Sequence, residues 1–404
     1  MAINLELPRK LEAVIEKAHQ GAAEMLRPIS RKWDLREHEY PVELDTLATL
    51  FEGIQDAKAF AFAGAEAFRD GTEPKDVNHN GANMSAVLNV MEISWGDVAL
   101  MLSVPRQGLG NAAISSVATP EQLDLLGKDV WAAMAITEPD FGSDSAAVST
   151  TAKLDGDEYV INGEKIYVTA GSRATHIVVW ATLDKTLGRA AIKSFIVPRE
   201  HPGVTIERLE DKLGIKASDT AAIRFDNVRI PQANLLGSPE IQMDKGFAGV
   251  METFDNTRPV VAAMAVGIAR AALEELRKIL TAAGVEISYD KPSHAQSAPA
   301  ADFLRMESDW EAAYLLMVRS AWQADNDIPN SKEASMGKAK AGRVASDITL
   351  KAVELAGTVG YSEQTLLEKW ARDSKILDIF EGTQQIQLLV VARRLLGLSS
   401  SELK

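Results

Sequence analysis

Apolar residues recur at helical spacing along the first part of the chain, to about residue 128. Between Pro8 and Leu26 they follow the three- and four-residue steps of an amphipathic helix, and the pattern continues over residues 43–68 and 83–102. Gly, Pro and Asn interrupt it over residues 71–81. Residues 1–128 are therefore predicted to form an N-terminal helical domain.

The hydrophobic period changes to that of short strands over residues 129–240. Strands are predicted at 131–136, 158–161, 165–169, 177–181, 194–197, 204–206 and 222–225. Asn162-Gly163 is a strong hairpin signal, and further turns are predicted at Gly156, Gly188, Pro202-Gly203 and Asp226-Asn227. Short strands joined by local turns predict an antiparallel β-barrel or sandwich.

Helical spacing returns over residues 241–404. Helices are predicted over 247–283 with a possible break at Pro259, over 300–326, 331–356 and 384–396, and a loop over 284–299. The chain is thus predicted to be an α+β multidomain protein: an N-terminal helical domain, a middle β domain and a C-terminal helical bundle. This order argues against a doubly wound sheet or a TIM barrel, which alternate strand and helix.

The composition is that of a soluble globular protein, with 46% hydrophobic residues and a net charge of −14 from 43 Lys and Arg against 57 Asp and Glu. Such an acidic chain is a poor nucleic-acid binder. The absence of Cys excludes disulfides, thiolate metal sites and a Cys nucleophile, and the six His have no metal-ligand spacing. With no apolar signal core, and a longest near-apolar stretch too short to span a bilayer, a cytoplasmic protein without a membrane span is expected.

Two segments suggest ligand binding but have ordinary alternatives. Gly108–Ala113 resembles a G-x-G-x-x-A dinucleotide fingerprint, yet no buried strand is predicted before it, so a tight interhelical turn is favoured. Thr137–Asp144 follows a predicted strand with hydroxyl, Gly and Asp residues, which suit a phosphate or a polar heterocycle as well as they suit an ordinary turn.

Three further positions carry candidate chemistry. Tyr167 and Thr169 lie on one face of a predicted strand, where they would stack on and bond a flat ring or simply pack within the sheet. Phe254–Pro259 would hold a ligand phosphate or amide through Asp255 and Arg258, or would cap a helix that begins near Pro259. Glu381 ends an apolar run, where a carboxylate is costly to desolvate, so it is either poorly buried, paired with a distant residue or kept for proton transfer.

Together these motifs resemble those of the acyl-CoA dehydrogenase family. Thr137–Asp144 is similar to the family's T-E-P-x-x-G-S-D, and Tyr167–Thr169 stands where the family often has W-x-T. Phe380–Gln387 is similar to Y-E-G-T-x-x-I-Q, and Phe254–Pro259 is similar to F-D-x-x-R-P. The likeness covers nearly the whole chain and agrees with the predicted helix–β–helix order.

The resemblance implies an FAD-dependent oxidoreductase of fatty-acid β-oxidation that converts an acyl-CoA thioester to the trans-2-enoyl-CoA. Glu381 would abstract the α-proton, flavin N5 would take the β-hydride, and the Glu381 N–H with a flavin ribityl hydroxyl would bond the thioester carbonyl. The residues expected to bind FAD are Met134, Ile136, Thr137, Gly142, Ser143, Tyr167, Val168, Thr169, Thr383 and Gln385. Those expected to bind substrate are Ser143, Phe254, Asp255, Arg258 and Gly382. An electron-transfer flavoprotein as acceptor and a tetrameric assembly are also implied.

The chain departs from the family pattern in two places. Family homotetramers usually carry an R-x-x-F-G element that contacts a neighbouring subunit's FAD, but Gly284–Ser293 here contains neither Arg nor Phe-Gly. Glu354 replaces the Gln of Q-x-x-G-G-x-G, which would place a negative charge near a pyrophosphate. Two interpretations stay open: a hetero-oligomer in which a paralogous partner supplies the missing contacts, or a homo-oligomer with a rebuilt loop that uses Lys291 or Ser293.

Two other functions share this fold. An acyl-CoA oxidase would pass electrons to oxygen, but such chains are usually longer, so the end at Lys404 favours a dehydrogenase. A non-catalytic subunit is disfavoured because Glu381 and Thr169 are retained. The acyl chain length, branching or ring content of the substrate is not predicted.

Overall fold

The computed structural model describes residues 9–46, 48, 81–105, 109–126, 130–241, 248–399 and 402, and within these it describes no side chains for residues 9–10 and 248–256. Phe254 and Asp255, expected to bind substrate, thus have a helical backbone here, but their side chains lie outside the description.

The described part of residues 1–128 is helical, as predicted. Its main elements are α1 (Arg9–Gly21), a π-helical turn (Ala22–Leu26), α2 (Ser30–Asp34), α3 (Ala82–Ser103), α4 (Leu109–Val117) and α5 (Pro120–Leu126). Most of the helix predicted over residues 43–68 lies outside the described residues. Among the described helices, only α3 is long and apolar enough to cross a membrane, and 83% of its apolar window is buried inside the protein.

The glycine motif at residues 108–113 belongs to a helix. Residues 110–113 lie in α4, so the predicted tight turn is wrong there, and the preceding element is the helix α3 rather than the strand that a dinucleotide site requires. Gly110 instead permits close packing: a Cβ at this position would lie 2.2 Å from the Ala132 carbonyl oxygen.

Within residues 130–241, seven strands form one curled mixed sheet with the order β1-β4-β2-β3-β7-β6, and β5 pairs with β4. The strands are β1 (Ala132–Ala135), β2 (Thr151–Asp155), β3 (Glu158–Thr169), β4 (His176–Thr182), β5 (Ile192–Pro198), β6 (Val204–Leu209) and β7 (Thr220–Pro231). Most pairs are antiparallel, as predicted, but β1 and β2 both run parallel to β4. Strand β2 was not predicted.

Two predicted turns lie inside strands. Asn162-Gly163 does not form a hairpin, because β3 continues through it and pairs with β7 across a register shift between Ile161 and Gly163. The hairpin is one turn earlier, between β2 and β3, where Gly156 has a φ of +66°. The turn predicted at Asp226-Asn227 is likewise wrong, since β7 runs on to Pro231.

The C-terminal segment is a bundle of long helices followed by shorter turns. Its elements are α6 (Ala248–Ala282), α7 (Ala298–Asp325), α8 (Ser331–Ala356), α9 (Thr358–Tyr361), α10 (Leu367–Ser374), a 3-10 turn (Lys375–Asp378) and α11 (Gln384–Leu396). The four long predicted helices are confirmed, and the short ones were missed. Helix α6 runs through Pro259 without a break, so the interpretation of Asp255 and Thr257 as caps of a helix starting there is wrong.

A buried charged cluster joins the three parts of the chain. The Lys369 ammonium on α10 donates to Asp97 of α3 at 2.7 Å and to Asp373 at 2.5 Å. Asp373 also accepts the backbone N–H of Ile215, in the loop before β7, at 2.6 Å. Helix α10 leads through the 3-10 turn to Glu381, so these contacts fix the segment that carries Glu381 against both the sheet and α3.

Candidate active site

The end of β1 and the end of β3 lie side by side. The Ile166 N–H donates to the Thr137 carbonyl at 2.9 Å, and Lys165 Nζ donates to the Ile136 carbonyl at 3.0 Å. The motif that begins at Thr137 is therefore attached to the strand that carries Tyr167, as expected for two motifs of one site.

A buried ion pair supports this junction, and the sequence analysis did not identify it. Lys165 Nζ lies 2.8 Å from Glu138 Oε1, and both side chains are almost fully buried. Glu138 also accepts hydrogen bonds from the backbone N–H groups of Ser149 and Thr150 at 2.7 and 2.9 Å. Burial opposes ionisation of Glu138, but the charge of Lys165 and these hydrogen bonds outweigh it and lower its pKa to about 2. Burial also lowers the pKa of Lys165 to about 8, against the attraction of Glu138.

Tyr167 presents an aromatic ring on an otherwise apolar, packed sheet. It is 62% exposed and has a φ of +58°, while Ile166 and Val168 on either side are buried. Thr169 is half-buried, and Gly142 and Ser143 are exposed. Met134 and Val168, two expected cofactor contacts, pack in the hydrophobic clusters of the sheet. The side chain of Val168 is buried there, so only its backbone is left to contact the cofactor.

The chemistry of this surface fits a flavin. A flat ring system needs a stacking partner and hydrogen-bonding groups around its edge. Tyr167 supplies the exposed ring, and among the hydrogen bonds of the described residues the hydroxyls of Thr137, Ser143 and Thr169 take part in none. The residues expected to face FAD therefore leave their polar groups available for it.

Glu381 lies in a left-handed backbone conformation between the 3-10 turn and α11. Its φ is +55° and that of Gly382 is +84°, a rare conformation for a side-chain-bearing residue. The Glu381 carbonyl accepts Gln387 Nε2 at 2.9 Å, and the Gly382 carbonyl accepts Lys338 Nζ at 2.7 Å. Thr383 then begins α11 as its N-cap, accepting the Ile386 N–H at 3.3 Å.

The Glu381 carboxylate is half-buried and is contacted from α6. Thr257 Oγ1 donates to Glu381 Oε2 at 2.8 Å. Burial raises the pKa of Glu381, while the Thr257 hydrogen bond and the charges of Arg258 and Lys338 act in the opposite direction. Arg258, expected to bind substrate, is almost fully buried near this carboxylate. A carboxylate with a raised pKa and a hydroxyl that orients it is suited to accept a proton.

The remaining expected residues lie near these. Gly382 is half-buried beside Glu381, and Gln385 on the first turn of α11 is exposed. The Glu381 segment and the sheet are joined through the Ile215–Asp373 contact.

Several residues of the site were missed at the sequence level. Thr257 was interpreted as a cap, and Lys338 and Gln387 received no role. Lys338 carried a usable signal: it occupies the buried stripe of α8 at helical spacing with Ala334, Ala341 and Ala345, where a cation needs a specific partner. The Thr257–Glu381 contact joins positions 124 residues apart and had no local signal.

Comparison with known proteins agrees with this arrangement. Residues 133–228 match the model of the acyl-CoA dehydrogenase middle domain, and residues 244–396 match that of the acyl-CoA dehydrogenase C-terminal domain. The mitochondrial short-chain specific acyl-CoA dehydrogenase of Bos taurus is 34% identical over 97% of this chain and 92% of its own length.

Solved structures extend the likeness to the whole fold. Butyryl-CoA dehydrogenase from Megasphaera elsdenii superposes with a TM-score of 0.82 at 29% identity, covering 98% of this chain and 100% of that chain. A chain from the structure described as the electron transferring flavoprotein of Acidaminococcus fermentans superposes with a TM-score of 0.83 at 29% identity and the same coverage. The protein therefore belongs to the acyl-CoA dehydrogenase family of FAD-dependent oxidoreductases.

Proposed function

We propose that this protein removes the α-proton and the β-hydride of a short saturated acyl-CoA, with Glu381 as the base. The observation that carries the proposal is the Glu381 carboxylate itself: it is half-buried, its pKa is raised by burial, and Thr257 holds one of its oxygens. The names of the bovine and Megasphaera relatives support a short acyl chain.

The role of Glu381 follows from elementary acid–base chemistry. The Cα–H bond breaks, the proton moves to a Glu381 carboxylate oxygen, and the electron pair delocalises into the thioester carbonyl. A raised pKa makes Glu381 a stronger base than an ordinary surface carboxylate. Among the backbone hydrogen bonds of the described residues, none is donated by the Glu381 N–H. This N–H is therefore available to bond the thioester oxygen, where negative charge develops.

FAD, when bound, supplies the acceptor for the hydride that leaves Cβ. Tyr167 would stack on its ring system, Thr169 would bond near N5, and Thr137 and Ser143 would provide further hydroxyls. Thr383 and Gln385 at the start of α11 would contact the ribose and adenylate portion. Ser143, Phe254, Asp255, Arg258 and Gly382 would line the acyl-CoA site.

Replacement of Glu381 tests the assignment. Glu381→Gln keeps the shape of the side chain but cannot accept the proton, so anaerobic butyryl-CoA should no longer bleach the flavin absorbance. Glu200→Gln, at an exposed carboxyl paired with Arg199, is the matched control and should bleach like the wild type. Undiminished bleaching by Glu381→Gln would refute the role of Glu381.

A panel of acyl-CoAs tests the substrate proposal. Straight-chain thioesters from C4 to C16, branched thioesters and ring-bearing thioesters are compared by the rate of anaerobic bleaching. Fastest bleaching by the C4 and C6 thioesters is expected, and a preference for long or ring-bearing chains would overturn the short-chain proposal. Hydrogen peroxide formed in aerobic turnover at the rate of substrate consumption would instead support an oxidase.

We also propose that an electron-transfer flavoprotein accepts the electrons, that the assembly is tetrameric and that its location is cytoplasmic. Residues 284–297 replace the element that would contact a neighbouring subunit's FAD. In this structure they form hydrogen bonds and an ion pair within their own subunit. Tyr289 donates to Glu307 Oε2 at 2.7 Å, Gln296 Nε2 donates to the Ser288 carbonyl at 2.6 Å, and Lys291 pairs with Glu286 at 2.9 Å. These bonds hold the loop against its own subunit and do not involve Ser293.

The two forms of assembly differ in how the missing contact is replaced. Either a paralogous subunit supplies it, or the rebuilt loop does so through Lys291 or Ser293. Purification of the chain alone, with measurement of FAD per subunit, separates the two. Full FAD occupancy and turnover without a partner would exclude the hetero-oligomer, whereas FAD loss reversed by a co-expressed paralogue would support it.

A further inference from the structure

The carbonyl groups of Glu381 and Gly382 are held by two side chains that have no role in the function proposed above. Gln387 Nε2 donates to the Glu381 carbonyl at 2.9 Å and to the Gly382 carbonyl at 3.3 Å. Lys338 Nζ donates to the Gly382 carbonyl at 2.7 Å. Both side chains have no exposed surface. The two consecutive left-handed residues are therefore fixed by donors from two different helices, α8 and α11.

A buried lysine at this position carries an energetic penalty. Burial lowers the pKa of Lys338 to about 8, while the charges of Asp378 and Glu381 act to raise it and that of Arg258 to lower it. The ammonium is thus predominantly charged at neutral pH. A methionine of similar volume would fill the space without this penalty, so the charge and the hydrogen bond are the distinctive contributions of Lys338.

We propose that Lys338 and Gln387 are positioning residues for the base: together they hold Glu381 in its left-handed conformation, and Lys338 in addition favours the ionised form of its carboxylate. The inference rests on the proposed role of Glu381. Gln387 acts by hydrogen bonding alone, whereas Lys338 acts by hydrogen bonding and by charge. The two contributions are therefore separable by experiment.

The charged groups around the Glu381 carboxylate determine the pH at which it ionises. Arg258 from α6 and Lys338 from α8 favour ionised Glu381, and Thr257 donates a hydrogen bond to it. Asp378 faces Lys338 and is itself contacted by Lys375 at 3.1 Å and Arg343 at 3.8 Å. When the Lys338 charge is removed, Arg258 remains as a cation that favours ionised Glu381. The pKa of Glu381 should therefore rise, but Glu381 should still act as the base.

Proton transfer can be measured apart from the redox step. 3-Thiabutanoyl-CoA carries sulfur in place of Cβ and has no β-hydride to lose, but its α-hydrogens exchange with solvent deuterium if a base removes them. The exchange rate is followed by mass spectrometry from pH 5 to 9 on the FAD-loaded protein. FAD per subunit and thermal midpoint are measured on the same samples.

The two variants should change different quantities, the pH midpoint of exchange for Lys338 and the exchange rate for Gln387. Lys338→Met should move the acid midpoint of exchange upward by about one pH unit. Gln387→Met should slow exchange about 10- to 100-fold without moving the midpoint. Lys340→Met, two positions along α8 in a half-buried pair with Asp309, should change neither. If Lys338→Met does not retain FAD, Lys338→Gln carries the test, because it keeps a donor, loses the charge and should give the same shift.

The outcomes distinguish this inference from the proposed function. An unmoved midpoint in the Lys338 variant that retains FAD would overturn the role of Lys338. A wild-type exchange rate in Gln387→Met would overturn that of Gln387. Exchange by Glu381→Gln at the wild-type rate would instead remove Glu381 as the base, whatever the Lys338 and Gln387 variants do.

Discussion

Thr257 Oγ1 donates a hydrogen bond to Glu381 Oε2 at 2.8 Å and thereby connects the first third of α6 to the segment before α11. The hydroxyl is almost fully buried. Because a donor to a carboxylate stabilises its ionised form, this contact opposes the pKa increase that burial imposes on Glu381. Thr257 therefore orients the carboxylate and favours its ionised form.

Replacement of Thr257 by Val keeps the shape of the side chain and removes the donor. The pKa of Glu381 should rise further, and the acid limb of the kcat/KM profile should move upward by about one pH unit. Thr257→Ser should stay close to the wild type. Thr281→Val, at an exposed position near the end of the same helix, is the control. An acid limb that is unchanged in Thr257→Val would show that the hydrogen bond does not act on the base.

Gly382 should tolerate no side chain, for two separate reasons. Its φ of +84° disfavours any residue with a Cβ, and that Cβ would lie 2.4 Å from Gln387 Nε2. Gly397 shares a positive φ, +68°, but a Cβ there would meet nothing within 4 Å. We expect Gly397→Ala to lower the free energy of unfolding by about 1 kcal/mol and Gly382→Ala by about 2–3 kcal/mol. Urea unfolding measures both, and equal losses would mean that the Gln387 contact is readily rearranged.

The long elements were predictable because their signal is local. The helix predicted over residues 331–356 has the same bounds in the structure, since its apolar stripe repeats over many turns. Local signals failed where tertiary pairing decided the outcome. Asn162-Gly163 has the composition of a hairpin turn, but pairing of β3 with β7 carries the strand through it. Pro259 likewise did not end α6, whose following residues pack in the main core.

The same contrast holds for the site. Glu381 was predicted to be the base from its motif and its position after an apolar run, which are features of neighbouring residues. Its partners Thr257 and Lys338 lie 124 and 43 positions away. The place of Lys338 on an apolar stripe indicates that it needs a partner, but no local pattern indicates which one. Long-range contacts of this kind depend on how helices pack, which a single sequence does not encode at the level of periodicity.

The buried pair of Glu138 and Lys165 should make stability depend on acid pH. The pKa of Glu138 is about 2 in the folded protein, whereas an unfolded Glu titrates near 4.3. Between these values the unfolded chain binds more protons, so stability falls as the pH decreases from about 4.5 to 2, by on the order of 3 kcal/mol. Glu138→Gln should be less stable at pH 7 and show a smaller decrease over this window.

Urea unfolding at pH 2.5 to 7 checks this expectation. The control is Glu158→Gln, an exposed carboxyl paired with Arg229, which should follow the wild-type curve. A wild-type acid dependence in Glu138→Gln would show that other carboxylates determine the acid stability.

The cluster of Lys369, Asp97 and Asp373 should be more sensitive to loss of its cation than to loss of all its charges. Lys369→Met leaves two carboxylates buried without a counter-charge, and we expect a loss of about 3–5 kcal/mol at pH 7. Burial raises the pKa of Asp373 and the charge of Lys369 opposes this, so removal of Lys369 should raise that pKa further, and the loss of stability should grow as the pH rises from 5 to 8. The triple variant Lys369→Met, Asp97→Asn, Asp373→Asn has no buried charge at this cluster and should recover part of the stability.

Urea unfolding of both variants across this pH range, with Lys351→Met as an exposed control, measures the difference. A triple variant less stable than Lys369→Met would contradict the expectation. It would mean that hydrogen-bond geometry, and not charge balance, holds the three parts of the chain together.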